Sequence, residues 1–132
     1  MNRVVTLGLA MLAGVAIGAV AVNGLSAQGK PPGAYAVVDI SEITDPEGFK
    51  ALGQRTNEAA AANFKDLGGR YIVRTDKITA LDGVAPKRFV VIAFDSTEKA
   101  QAWNNSPAQK EVNATRMKTT KSRVFIVEGT PQ

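Results

Sequence analysis

The stretch "KRFVVIAFD" at residues 87–95 constrains the fold more than any other part of the sequence. It is rich in β-branched and aromatic residues, which favours a β-strand. Strand side chains alternate between two faces. Here both alternating sets are apolar, namely Phe89, Val91 and Ala93 against Val90, Ile92 and Phe94. The stretch "SRVFIVEG" at 122–129 has the same pattern, with Val124 and Ile126 opposing Phe125 and Val127. Antiparallel sheets normally keep one face polar, so these strands predict a sheet that needs cover on both faces.

The first half of the domain predicts a strand followed by a long helix. "AYAVVDISEI" at 34–43 alternates and is typical of a strand. Asp45 is a good N-cap, and Pro46 suits the first helical position. Apolar residues then recur at helical spacing until Gly68-Gly69, which is typical of a helix end.

The second half predicts a hairpin, an interrupted helix and a last strand. We expect a second strand at 70–81, broken near Asp76-Lys77, with "DGVAP" turning the chain into the 87–95 strand. "DSTE" at 95–98 resembles a capping box that starts a helix reaching Trp103. "NNS" interrupts this helix, and Ser106-Pro107 caps its continuation to about Lys118.

The resulting order of strand, helix, strand, strand, helix, strand predicts an α+β fold. It is the ferredoxin-like βαββαβ arrangement, a four-stranded antiparallel sheet with its helices on one face. The second sheet face would then form an apolar patch of a size that monomers rarely expose. A two-fold partner presenting the same sheet would cover it. We therefore predict a homodimer with its sheets face to face.

Composition removes several kinds of chemistry. The chain has no Cys and no His, which excludes thiol nucleophiles, imidazole bases, and thiolate or histidine ligands of metals and haem. The acidic residues show no calcium-loop spacing, so we expect no metal and no cofactor. The net charge of +4 comes from charges scattered among acids. The densest basic patch, residues 116–123, lacks interleaved aromatic residues, so we expect no nucleic-acid partner.

The N-terminus predicts export. A short basic start, the apolar run Val4–Val22 and a small-residue exit are typical of a secretory signal peptide over residues 1–27. Residues 28–33 form a linker, and the domain covers 34–129. The alternative is an uncleaved anchor, because roughly 20 apolar residues can span a membrane. The domain is then expected to be periplasmic or secreted, or else held at the inner membrane outside the cytoplasm.

Three stretches carry a resemblance to a known family. They are "GGRYIVR", "KRFVVIAFDSTEKAQAWNNSPAQKEVNATR" and "FIVEG". Together they resemble the family catalogued as a domain of unknown function, number 1330, over about Tyr35 to Gly129. The resemblance implies a dimeric α/β-barrel and implies no activity. The chain departs from the usual family pattern at Ala93 and Asp95, where Glu and Pro are common, and at Asn104 and near Gln109, where Tyr is common.

Five residues are candidates for a ligand site. Trp103 either packs in the core at the helix–sheet junction or forms one wall of a pocket. Arg70 and Arg74 are placed on one strand face, where either could form a salt bridge with Asp39. The alternative is a guanidinium fork that holds a carboxylate or phosphate. Arg116 has the same two interpretations, a salt bridge or an anion contact. As a member of the basic patch at 116–123 it is also interpreted as part of a solvated helix end.

Three functions follow from these observations. We expect an exported dimer that binds a small organic molecule between sheet and helices, with no activity that the sequence can assign. The alternative is an enzyme like the cofactor-free oxygenases or isomerases. It would need a base, for which only Asp39, Glu42, Asp95 or a Tyr is available. The third is a structural or interaction protein that uses its apolar face for a different partner. A membrane is involved only if the leader stays uncleaved.

Overall fold

A computed structural model of the protein describes residues 31–131. The predicted signal peptide and residues 28–30 of the linker lie outside the described residues. The elements, in chain order, are β1 (Ala34–Ile43), α1 (Pro46–Leu67), β2 (Arg70–Thr75), β3 (Arg88–Phe94), α2 (Thr97–Asn105), α3 (Pro107–Thr119) and β4 (Thr120–Glu128). Within residues 31–131, the helices are all too short or too polar to cross a membrane.

The four strands form one antiparallel sheet in the order β2-β3-β1-β4. Neighbouring strands in the sheet are therefore not always neighbours in sequence, as expected for two interleaved βαβ units. This arrangement confirms the predicted ferredoxin-like α+β fold. It also places the two apolar strands differently, because β3 lies inside the sheet whereas β4 lies at one edge.

The helix ends follow the predicted capping residues. Asp45 accepts a hydrogen bond from the Gly48 backbone N–H at the start of α1. Gly68 ends this helix with φ of 70°, a left-handed conformation that favours glycine. Ser106 separates α2 from α3 and accepts a hydrogen bond from the Gln109 N–H. The predicted interruption of the second helix is therefore confirmed.

The second strand is shorter than predicted. It ends at Thr75, and residues 76–87 connect β2 to β3 without strand structure. The Thr75 hydroxyl accepts a hydrogen bond from the Lys77 N–H, which turns the chain away from the sheet. Leu81 and Val84 are 97% and 98% exposed in this connection. The prediction of a strand to residue 81 was wrong, because β-prone residues there have no neighbouring strand to pair with. The predicted hairpin is confirmed, since β2 and β3 are adjacent and antiparallel, but a longer connection joins them.

The strand registers define two sheet faces. The helix face carries Ala36, Val38, Val90, Ile92, Val124 and Ile126, which lie opposite one another across β1, β3 and β4. Ala36, Val90 and Ile92 form the main core with Phe94 and with Ala100 and Trp103 of α2. The open face carries Tyr35, Val37, Phe89, Val91, Phe125 and Val127. Phe125 and Val127 are 38% and 40% exposed there, so the sheet is apolar on both faces.

Candidate functional site

A cavity of about 290 Å³ lies between the helix face of the sheet and the helices. Its apolar lining consists of Val38, Ile40, Phe49, Leu52, Ala60, Phe64, Val90, Ile92, Trp103 and Val112. Its polar lining consists of Lys50, Thr56, Tyr71, Arg74, Arg88, Gln109, Asn113 and Arg116. The described lining therefore has four basic side chains and no carboxylate. Such a mixture of apolar walls and a few convergent polar groups is typical of a small-molecule site.

Arg116 is the most buried of the basic residues. It is 9% exposed, and its Nη1 donates a hydrogen bond to the Ser122 hydroxyl at the start of β4. Its Nε is buried and finds no hydrogen-bond partner in the described part of the chain. Burial lowers the pKa of the Arg116 guanidinium, because removing water disfavours the charged form. The interpretation of the basic patch as a solvated helix end was wrong for Arg116, whose position on α3 turns it inward.

Arg74 reaches the cavity because of an irregularity in β2. The register between β2 and β3 shifts between Tyr71 and Val73, after which Arg74 lies opposite Val90. Val90 is on the helix face, so Arg74 points toward the helices. Its Nη1 donates to the Asn57 side-chain oxygen at 2.7 Å, and its guanidinium carbon lies 4.8 Å from the centre of the Tyr71 ring.

Tyr71 stands beside two arginines at the cavity wall. Burial raises the pKa of its phenol, and the charges of Arg74 and Arg88 act in the opposite direction. The net effect raises the pKa of Tyr71 above its ordinary value of 10.0, so the phenol keeps its proton at neutral pH. It can therefore donate a hydrogen bond to a ligand in the cavity.

Trp103 forms the aromatic part of the cavity wall together with neighbouring rings. It is 3% exposed, and its ring lies 5.5 Å from that of Phe94. Phe64 in turn lies 6.1 Å from Phe94 and 5.1 Å from Tyr71, with edge-on geometry in both pairs. The two interpretations of Trp103 are thus both compatible with its position, because it packs in the core and also lines the cavity.

Asp39 and Arg70 lie away from this cavity. The Asp39 carboxylate accepts from Arg123 Nε at 3.0 Å across β1 and β4. Arg70 is exposed and lies opposite Ala93, on the open face. The prediction that Arg70 and Arg74 share a face was wrong, because the register shift in β2 turns Arg74 to the other side. The suggested pairing of either arginine with Asp39 was also wrong, since Arg123 lies directly opposite Asp39.

The cavity contains residues that are not among the five predicted ligand-site candidates. Arg88, Tyr71, Gln109 and Asn113 all line it. The direction of Arg88 could have been predicted from the sequence. It lies on the same face of its strand as Val90, Ile92 and Phe94, because alternate strand residues point the same way. Gln109 and Asn113 lie one helical turn apart on α3, and the Gln109 amide donates to Asn113 Oδ1 at 3.3 Å. Polar residues at that spacing are common on exposed helices, so they carried no distinguishing signal.

The carboxylates considered as catalytic bases are engaged elsewhere. Glu42 pairs with Lys121 at 3.3 Å, and Asp95 pairs with Lys99 at 3.2 Å. Neither residue lines the cavity described above. Within residues 31–131, His, Cys, Asp and Glu side chains form no cluster of three that could hold a metal ion.

Residues 33–130 match the family described as "Domain of unknown function (DUF1330)". The chain belongs to this family. The match covers the whole of the sheet and the helices, and therefore every residue that lines the cavity. The name of the family assigns no activity to its members. A search of curated proteins returned no match.

Solved structures with the same fold share little sequence with this DUF1330 chain. A protein of unknown function from Rhodopseudomonas palustris is 13% identical, with a TM-score of 0.58, over 85% of this chain and 93% of that one. A dimeric ferredoxin-like protein of unknown function from Thermobifida fusca is 13% identical, with a TM-score of 0.56, over 75% and 92%. A candidate antibiotic biosynthesis monooxygenase from Nitrosomonas europaea is 17% identical, with a TM-score of 0.51, over 73% and 97%. At these identities the likeness establishes the fold alone.

Proposed function

We propose that this protein binds a small organic molecule in the cavity between its sheet and helices. The observation that carries the proposal is the composition of the lining, in which apolar walls surround a few convergent polar side chains. Trp103 and Phe64 offer flat apolar surface, and Arg116, Tyr71 and Gln109 offer hydrogen-bond donors. A packed core would normally fill such a space.

The assembly we propose is a homodimer joined through the open face. Two observations support it, namely the exposed apolar side chains of Phe125 and Val127 and the description of the Thermobifida fusca neighbour as dimeric. Burying this face against a second copy would remove the patch from water. We further propose that the leader at residues 1–27 exports the chain, so that the dimer binds its ligand outside the cytoplasm.

A cofactor-free oxygenase is the second candidate, because the Nitrosomonas europaea neighbour is described as a candidate monooxygenase. Such an enzyme needs a group that takes a proton from its substrate. Tyr71 is the titratable phenol at the cavity, and its raised pKa makes it a donor at neutral pH. Binding without chemistry is therefore the function we favour.

Native mass spectrometry of the protein exported by its own leader tests the binding proposal. The denatured spectrum gives the mass of the polypeptide, and from it the point at which the leader is cleaved. We expect the native complex to be heavier than its polypeptide chains alone. Gly53 allows a matched pair of variants, because it lines the cavity and a Cβ added there meets no atom within 4 Å. Gly53→Leu should fold, with better helix propensity, and lose the extra mass. Gly53→Ala should keep it. Extra mass that survives in Gly53→Leu would show that the ligand lies elsewhere.

A further inference from the structure

Three of the four basic residues of the cavity, Arg116, Arg88 and Arg74, lie toward one end of it. Ser122 of β4, Ile40 of β1 and Arg88 of β3 lie in one row across the sheet. Arg116 is held at this row by its hydrogen bond to Ser122. Arg74 lies opposite Val90, in the next row. Because adjacent strands are about 4.8 Å apart, three long guanidinium side chains can reach one ligand group from this end.

The other end of the cavity is aromatic. Ile92 lies two residues beyond Val90 along β3, and Trp103 and Phe64 pack with it in the main core. The cavity is therefore polarised along the strands, with arginines at the Ile40 and Val90 rows and apolar rings toward Phe94. A molecule that fits it has one charged group and an apolar body.

The guanidinium groups at the basic end lack some of the hydrogen-bond and charge partners that buried arginines need. Arg116 is 9% exposed, yet its Nε lacks a partner among the described residues. Burying an unpaired charge is unfavourable unless another group compensates it. The described residues that line the cavity include no Asp or Glu that could do so. An oxyanion is the group that would compensate these charges, because a guanidinium can donate two parallel hydrogen bonds to a carboxylate or a phosphate.

We propose that the cavity takes a small organic oxyanion, bound by Arg116, Arg88 and Arg74, with its apolar body against Trp103. This inference rests on the proposed binding function and names the class of ligand. The Tyr71 ring packs against the Arg74 guanidinium, and its phenol is a neutral donor in the lining of the same cavity. A carboxylate or a phosphate monoester would satisfy these donors, and the two can be separated experimentally.

Binding of benzoate, benzamide and phenyl phosphate to the ligand-free full chain tests the inference. Trp103 is the only Trp of the chain, so its fluorescence reports on the cavity, and calorimetry supplies the affinities. We expect benzoate to bind about 10- to 100-fold more tightly than benzamide, its neutral analogue of similar shape. Phenyl phosphate measured beside benzoate shows which oxyanion the site prefers.

The outcomes separate the two proposals. Equal binding of benzoate and benzamide would overturn the oxyanion inference and leave the binding function intact. If none of the three compounds binds at millimolar concentration, the oxyanion inference is overturned, and the native mass spectrum decides the binding proposal separately. The comparison uses the unmodified protein, so it does not depend on the folding of any variant.

Variants then locate the anion. Arg116→Met should lower the affinity for benzoate about 10- to 100-fold and leave that for benzamide nearly unchanged. Lys118→Met removes the same charge from an exposed position two residues away on the same helix, and should change neither affinity. An equal loss in both variants would mean that only overall charge matters and would overturn the assignment. Arg88→Met offers a second test at the same row, should Arg116→Met fail to fold.

Discussion

At the scale of single residues, Trp103 combines two roles that are usually considered as alternatives. Its ring packs on Phe94 at 5.5 Å and is 3% exposed, as a core residue would be. The same ring forms part of the cavity wall. The side chain therefore contributes to stability through one surface and is available to a ligand through another.

Removing the Trp103 side chain should affect both properties. We expect Trp103→Ala to lower the free energy of unfolding by roughly 3–5 kcal/mol, because the loss of a buried aromatic side chain leaves a cavity. Trp103→Phe is the matched control and should lose much less, since a ring still packs on Phe94. Chemical denaturation followed by circular dichroism measures both. A change below about 1 kcal/mol in Trp103→Ala would show that the indole is not part of the core.

At the scale of elements, the break between α2 and α3 has a structural origin. Ser106 ends α2 and begins α3, and its hydroxyl makes three contacts. It donates to the Trp103 carbonyl at 2.7 Å and accepts from the Gln109 N–H at 3.3 Å. It also accepts from the Asn63 amide of α1 at 3.0 Å. One side chain thus fixes the angle between two helices and ties them to a third, which holds Trp103 at the cavity.

Ser106 and Ser96 provide a comparison of two N-caps. Ser96 caps α2 through one hydrogen bond, from the Lys99 N–H at 3.1 Å. We expect Ser96→Ala to cost about 0.5–1 kcal/mol, as an ordinary cap does. Ser106→Ala should cost about 2 kcal/mol, since it also leaves the Asn63 amide without this partner and removes one of the two hydrogen bonds that Ser106 donates to the Trp103 carbonyl. Thermal and chemical denaturation of both variants measures the difference. Equal losses would mean that the additional contacts of Ser106 contribute nothing.

At the scale of the whole molecule, the two faces of the sheet have different roles. The helix face holds the core and the cavity, and the open face carries the apolar side chains that we assign to a dimer interface. Val91 lies near the middle of the open face, opposite Val37 of β1 and Val73 of β2. An interface on this face would leave the cavity accessible, because the cavity lies on the other side of the sheet.

A charge at Val91 should therefore disrupt the dimer without removing the cavity. We expect light scattering to report a dimer for the unmodified protein and a monomer for Val91→Arg, because a buried unpaired charge is unfavourable. Gln101→Arg adds the same side chain at an exposed position of α2 and should remain dimeric. A dimeric Val91→Arg protein would place the interface on another surface. A monomeric unmodified protein would contradict the dimer itself.

Much of the architecture could be predicted because it depends on local pattern. The alternation in residues 87–95 and 122–129 identified strands with two apolar faces. The caps at Asp45 and Ser106 identified helix starts, since side-chain oxygens satisfy free backbone N–H groups wherever helices begin. Those elements in that order have few ways to pack. The strand prediction failed over residues 76–81, where propensity alone was available and no partner strand lies beside the chain.

The sequence by itself determined the order of elements, their caps, the apolar character of both sheet faces and the absence of Cys and His chemistry. Only the tertiary structure decided which arginines face the cavity. A one-residue register shift in β2 reverses the direction of Arg74 relative to Arg70, and strand side chains follow register strictly. Burial of Arg116 likewise depends on how α3 packs beside β4. Local pattern does not encode such long-range contacts, so the basic end of the cavity becomes visible only in three dimensions.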